Sequence, residues 1–121
     1  MDKCGAESFT QYLSIIQKDS KLLDEFIDRV TINVSEVFRN PDQFDVLKNR
    51  VMPELLKKFP DMNVWSAGCS CGAEAYTLAI ILNELSPNGR HKILGTDIDD
   101  RMLVRCNKGI YFPHEIKAVT K

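Results

Sequence analysis

No uninterrupted apolar run in this chain approaches the ~18 residues that a membrane-spanning helix needs. The first twelve residues, MDKCGAESFTQY, carry charge without an apolar core and lack the form of a secretory signal. Neither sign of charge is in excess: 16 Lys and Arg stand against 17 Asp and Glu. That balance leaves no basic footprint for nucleic acid or an anionic membrane surface. Together these absences point to a cytoplasmic protein with no nucleic-acid partner and no membrane insertion. Metal-binding residues are also scarce. Cys69-Ser-Cys71 is a C-x-C, but no second pair follows at zinc-like spacing, and neither His91 nor His114 completes a ligand set. Cys69 and Cys71 read as small fillers of a tight turn, no metal is expected, and free thiols suit a reducing compartment.

The 121 residues leave room for one small domain or parts of two. The first half reads as helical. Ser8-Phe-Thr-Gln11 has the form of a capping box, followed by Phe9, Tyr12, Leu13 and Ile16 at helical spacing. Asp19-Ser20 interrupts and caps a second stripe of Leu22, Leu23, Phe26, Ile27 and Val30, and both stripes are expected to be core. Asn40-Pro41 is a helix start, with Asn at the N-cap and Pro at the first helical position. Phe44, Leu47, Val51 and Leu55 continue the apolar face, and Pro53 is expected to break or kink that helix near Met52. Phe59–Asn63 turns into a strand, so the pattern places an all-helical region at residues 1–60 and a β-α-β-α region at 61–121.

The second region holds the most informative stretch, VWSAGCSCGAEAYT from Val64 to Thr77. A strand over 64–67 runs into a glycine-framed turn, Gly68 to Gly72, and then into a helix from about Ala73 to Leu85. Such a junction aims backbone N–H groups at a helix N-terminus, where they can approach a carboxylate or phosphate closely. Ser86-Pro-Asn-Gly89 makes a turn, and a second strand over 92–96 ends on Asp97, where a nucleotide-binding unit places the acid that grips a ribose. A last helix begins near Asp99 and ends at Gly109. Two parallel strands joined by a helix form a right-handed βαβ unit. The fold class is therefore α/β: a helical segment followed by the opening part of a Rossmann-like cofactor domain.

Gly68-x-Ser70-x-Gly72 also matches the nucleophile elbow of serine hydrolases. That chemistry needs an acid and a histidine at the top of a larger sheet. His91 precedes the second strand and His114 lies in the tail, and the elbow would leave Asp97 and residues 31–39 without a role.

Three blocks, Asn33–Arg39, Trp65–Thr77 and Gly95–Asp99 with Gly109–Tyr111, together resemble the CheR-type chemotaxis receptor (protein-glutamate) O-methyltransferase family. Asn33-Val-Ser35-Glu-Val-Phe38-Arg39 resembles its N-x-T/S-x-F-F-R. Trp65-Ser-Ala-Gly-Cys-Ser-Cys-Gly-Ala-Glu74-Ala-Tyr76-Thr is similar to its W-S-A-G-C-S-T-G-E-E-P-Y-S. Gly95-Thr-Asp97-Ile-Asp99 with Gly109-Ile-Tyr111 is similar to its T-D-I-D…G-I-Y. The departures are Val37 for an aromatic, Cys71 for threonine, and Ala73 and Ala75 around Glu74 in place of Glu-Glu-Pro.

The resemblance implies methyl transfer from S-adenosyl-L-methionine to glutamate side chains of chemoreceptors, with S-adenosyl-L-homocysteine as product. It implies that Asn33, Ser35 and Arg39 face the methionine end of the cofactor, with Arg39 pairing with its carboxylate or orienting the substrate glutamate as the catalytic residue. It further implies that Gly68 and Gly72 admit the cofactor, that Glu74 accepts from its α-ammonium, that Asp97 binds the ribose hydroxyls and that Tyr76 lines the pocket. Each has a plainer reading. Asn33 and Ser35 could cap a short helix, Arg39 could be a solvated charge, Glu74 could serve the helix dipole, and Asp97 could cap the next helix in competition with Asp99 and Asp100. The family's enzymes are about twice this length, so the resemblance also implies a fragment or truncated relative lacking the adenine-side half. Two strands alone leave sheet surface open, which invites self-association. A second reading is a non-catalytic relative that serves as a cofactor-binding or signalling interaction module.

Overall fold

The computed structural model describes residues 5–30 and 35–119, and contacts divide the chain into two units, residues 1–33 and 34–121. In the first unit α1 (Phe9–Lys18) packs with α2 (Ser20–Val30). Ser8 opens α1 by accepting the Gln11 N–H at 3.2 Å, while the Gln11 side chain accepts from Glu7, one residue earlier than a capping box requires. Asp19 accepts the N–H groups of Lys21 and Leu22 at 3.0 and 3.3 Å, so a single residue suffices to end one helix and start the next. Tyr12 and Phe26 meet edge to face at 5.9 Å, and Ile16 is buried. Phe9, Leu13 and Val30 remain exposed, so only part of the stripes expected as core is packed.

The second unit runs α3 (Pro41–Val46), a π turn (Leu47–Val51), α4 (Met52–Lys58), β1 (Asn63–Ala67), α5 (Ala73–Leu85), β2 (Lys92–Thr96) and α6 (Asp100–Lys108). Short 3-10 turns follow at Pro113–Glu115 and Lys117–Val119. Pro53 does not break the helix as its sequence position suggests. Proline cannot donate, and its ring crowds the carbonyl four residues back. The chain accommodates it by widening the preceding turn, where the Met52 N–H reaches back five residues to the Leu47 carbonyl.

Phe44, Leu47 and Leu56 from this helical run pack against a core of Met52, Leu78, Ile81 and Leu82. Residues 41–58 thus pack within the second unit, whereas the sequence pattern groups them with the first two helices. Periodicity reports that a helix has an apolar side, not which element covers it. Ile81 and Leu82 have no accessible surface to speak of, and each such side chain contributes about 1.5–3 kcal/mol by leaving water.

β1 and β2 are parallel and joined through α5, with Val64 opposite Ile93 and Trp65 opposite Leu94. Alternation sends Val64 and Ile93 into the α5-facing core. The opposite face is open: Trp65 is 69% exposed and Leu94 61%. The Trp65 indole N–H donates to Thr96 Oγ1 at 2.9 Å along that face. α6 is capped by Asp99, which accepts from Arg101 and Met102, and it ends on left-handed Gly109.

Candidate functional site

Two walls of the second unit enclose a cavity of about 350 Å³. One wall is the segment Ser35–Asn40 and the start of α3. The other is the turn between β1 and α5, together with the first turn of α5.

The β1–α5 turn is built on backbone groups that few side chains permit. Gly68 has φ +73° and Gly72 φ +85°, a region in which L-residues are strained. The N–H groups of Gly68 and Cys69 both donate to the Thr96 carbonyl, at 2.8 and 2.9 Å, which fixes the turn to the end of β2. Ser70, itself left-handed at φ 50°, donates its N–H to Asp97 Oδ2 at 2.7 Å. The other oxygen of Asp97 accepts the Asp99 N–H at 2.9 Å. Cys69 fits because Gly95 on β2 has no side chain: a Cβ there would lie 2.9 Å from the Cys69 sulfur.

Gly68 faces open space, with nothing within 4 Å of where a Cβ would stand, and it lines the cavity. Gly72 serves a different neighbour: a Cβ there would overlap the Cys106 sulfur of α6. Glu74, in the first turn of α5, lines the cavity beside Gly68 and is held by the Ser66 hydroxyl, which donates to Oε1 at 2.7 Å. A carboxylate there is also favoured by the helix dipole, by roughly 0.3–1 kcal/mol.

On the facing wall, Phe38 (φ 55°) and Asn40 (φ 54°) are both left-handed, which turns the chain sharply before α3. Asn40 is the N-cap residue of α3, as its position before Pro41 suggests, but its side chain makes no capping bond. It serves there because asparagine tolerates the left-handed region. Ser35 and Arg39 line the cavity, and so does Glu36.

Of the residues singled out from sequence, Ser35, Arg39, Gly68 and Glu74 therefore share one cavity. Gly72 and Asp97 are not among its lining residues; Asp97 braces the turn from below β2's end, and Gly72 lets α6 approach. Asn33 lies outside the described residues. Tyr76 points elsewhere: its hydroxyl donates to the Cys106 carbonyl at 3.0 Å, and its ring meets Tyr111 edge to face. Glu36, Thr77 and Glu115 were missed. Thr77 accepts the Phe38 N–H at 3.0 Å, and the Glu115 carbonyl accepts the Val37 N–H at 2.7 Å. Each bond spans far too much sequence for any local signal to have marked it.

The cavity offers a guanidinium, two carboxylates and an exposed backbone turn. Among the described residues that line it, none is an activated nucleophile. Burial raises the Cys69 thiol above its ordinary pKa, so at neutral pH it is protonated and inert. No hydrolase triad forms around Ser70. His91 Nδ1 accepts the Met62 N–H at 3.2 Å and Nε2 lies 3.3 Å from the Ser86 carbonyl, at the opposite end of the parallel strands. His114 stacks on Phe112. Among the described residues no cluster of His, Cys, Asp or Glu is arranged to hold a metal, and no helix is long and apolar enough to cross a membrane.

The family described as CheR methyltransferase, SAM binding domain, matches residues 33–121. The chemotaxis protein methyltransferase of Listeria innocua is 38% identical over 115 residues, which cover 94% of this chain and 44% of that protein. That of Borreliella burgdorferi is 36% identical over 118 residues, covering 88% of this chain and 42% of the relative. That of Salmonella typhimurium is 31% identical over 121 residues, covering 96% and 40%. The chain thus spans less than half the length of these curated relatives.

Proposed function

The chain belongs to the CheR methyltransferase family, whose cofactor is S-adenosylmethionine, and we propose that it supplies the methionine-end half of the pocket of a protein-glutamate O-methyltransferase. In this reading residues 61–121 are the first half of a Rossmann-like domain. The methyl acceptors are glutamates on the cytoplasmic part of a chemoreceptor, and the setting is the cytoplasm. The observation that carries the reading is the convergence of Ser35, Arg39, Gly68 and Glu74 on one cavity from two segments distant in sequence.

The residues suit the group. Its amino-acid end bears a carboxylate and an ammonium; Arg39 and Glu74 are the complementary pair, and the open space at Gly68 is room that any larger residue would fill. Bound there, S-adenosylmethionine supplies a methyl carbon on a sulfonium leaving group. The protein's own task is alignment. Arg39 can present its planar fork to a carboxylate, whether of the cofactor or of the incoming glutamate. No general base is needed, because a glutamate side chain is ionised at neutral pH. Positioning and exclusion of water from the apolar floor formed by Phe44 and Leu47 are the remaining contributions.

The departures from the family motif support retention of the site. Val37, Cys71 and Ala73 lie together in one buried cluster with Met102, Tyr111 and Ile116. All three are buried away from the cavity-lining charges of Arg39 and Glu74, which stay in place. A second reading, a binding or interaction module, draws on the open sheet face around Trp65 and Leu94. Titration of this chain with S-adenosylhomocysteine, beside Asp97→Ala and with light scattering for oligomeric state, tests the assignment. Micromolar binding lost in the variant supports it, and a folded chain that binds nothing refutes a working pocket in this polypeptide.

A further inference from the structure

We propose that Thr77 is a positioning residue of this pocket: its buried hydroxyl holds the wall that carries Ser35 and Arg39 at its working distance from the β1–α5 turn. The inference rests on the cofactor reading above and adds to it a residue that touches no ligand.

Thr77 lies on the inner side of α5 with 0% of its surface exposed. Its hydroxyl donates to the Ala73 carbonyl at 2.7 Å, one turn back in the helix, and that bond orients the oxygen. The remaining lone pairs point at the opposite wall and accept the Phe38 N–H at 3.0 Å. Phe38 is the residue that most needs such an anchor. It is aromatic yet left-handed at φ 55°, a conformation that strains an L-residue and persists only where its surroundings fix it. Arg39 follows it directly, so the Phe38 peptide sets where the guanidinium stems from.

Other ties of this segment run to other elements or are made by packing. Val37 donates to the Glu115 carbonyl at 2.7 Å and buries its side chain against Cys71 and Ala73. The Phe38 ring meets Phe44 edge to face at 5.9 Å. The Glu115 bond anchors the wall to the 3-10 turn, and the Phe44 contact anchors it to α3. Val37 and Phe38 also pack on α5 side chains, and the Thr77 bond adds a directional hydrogen bond to that helix, the same one whose first turn presents Glu74. Through Thr77, Arg39 and Glu74 are referenced to a single rigid element.

The test compares Thr77→Val, which keeps shape and removes the hydroxyl, with Thr77→Ser, which keeps the hydroxyl and removes the methyl. Two quantities are read in the full chain: affinity for S-adenosylhomocysteine, and hydrogen exchange of the Phe38 amide. Thr77→Val is expected to weaken binding about tenfold, the usual consequence of one buried donor left without its acceptor. It should also release the Phe38 amide to exchange while the α5 amides stay protected. Thr77→Ser is expected to restore both to near wild type. Wild-type affinity in Thr77→Val, or equal weakness in Thr77→Ser, would overturn the proposal, the latter because packing of the methyl would then explain the loss. If the wild-type chain binds no S-adenosylhomocysteine, the cofactor reading fails. Phe38 exchange then decides the positioning role alone, and its indifference to Thr77→Val would end it.

Discussion

Asp97 and Ser70, 27 residues apart in sequence, are joined by a 2.7 Å bond from the Ser70 N–H to a carboxylate oxygen. The other carboxylate oxygen takes the Asp99 N–H at 2.9 Å, so one side chain clamps the β1–α5 turn to the β2–α6 connection. Each oxygen keeps a further lone pair that can accept from a ligand hydroxyl.

Asp97→Asn should therefore do more than remove a charge. An amide has a single acceptor oxygen, so one of the two backbone donors loses its partner. The expected outcome is at least a tenfold loss of S-adenosylhomocysteine affinity by titration calorimetry, accompanied by faster amide exchange at Ser70 or Asp99.

Arg39→Lys keeps the charge and loses the planar fork. If Arg39 grips a carboxylate in two places, this change should weaken binding or transfer by about tenfold, and Arg39→Ala by more. Calorimetry with S-adenosylhomocysteine distinguishes the two carboxylates: a loss there means Arg39 holds the cofactor's, and wild-type binding with impaired transfer in a full-length relative means it holds the acceptor's.

Gly72→Ala should destabilise the chain by about 2–4 kcal/mol, combining a left-handed alanine with overlap on Cys106. Cys106→Ala removes the sulfur that the new methyl would strike. The double variant should consequently unfold at a higher denaturant concentration than Gly72→Ala alone, although the strain of φ +85° remains.

Glu115 is buried and paired with Arg105, whose guanidinium bond holds the carboxylate below its ordinary pKa, aided by the Phe112 N–H. A depressed folded-state pKa stabilises the fold above the unfolded value near ~4.3, and that share is lost as pH falls through the folded value. Thermal unfolding should accordingly drop as pH falls from about 5 to below the folded pKa. Glu115→Gln should flatten that slope and cost about 1–3 kcal/mol at neutral pH.

Much of the second unit was legible because its signals are local. Gly68 and Gly72 mark a turn by backbone freedom, Asp99 and Gly109 bracket α6, and the short run 92–96 between a turn and Asp97 reads as a strand. The cavity residues Ser35, Arg39, Gly68 and Glu74 came from the family's pattern, which records pairings that the chain's own periodicity does not. What stayed hidden depends on tertiary neighbours. Tyr76 was expected in the pocket, but it sits at a helical position that rotates it towards α6. Gly72, which the resemblance implies admits the cofactor, has its missing Cβ against the Cys106 sulfur of α6. Pro53 is accommodated by the π turn just before it, which lies between the packed side chains of Leu47 and Met52.

Trp65 is the sole tryptophan of the chain, and it stands in the middle of the open sheet face with its indole N–H fixed to Thr96. Its fluorescence therefore reports one surface and no other. Emission from the chain alone should be red, as from a ring in water, and should shift to the blue when anything, a second copy or the complementary part of a longer relative, seals that face. Because the indole lies on the side of the sheet away from α5, the same signal should stay silent to changes confined to the core. The protein thus carries an intrinsic optical gauge of whether its sheet has been completed.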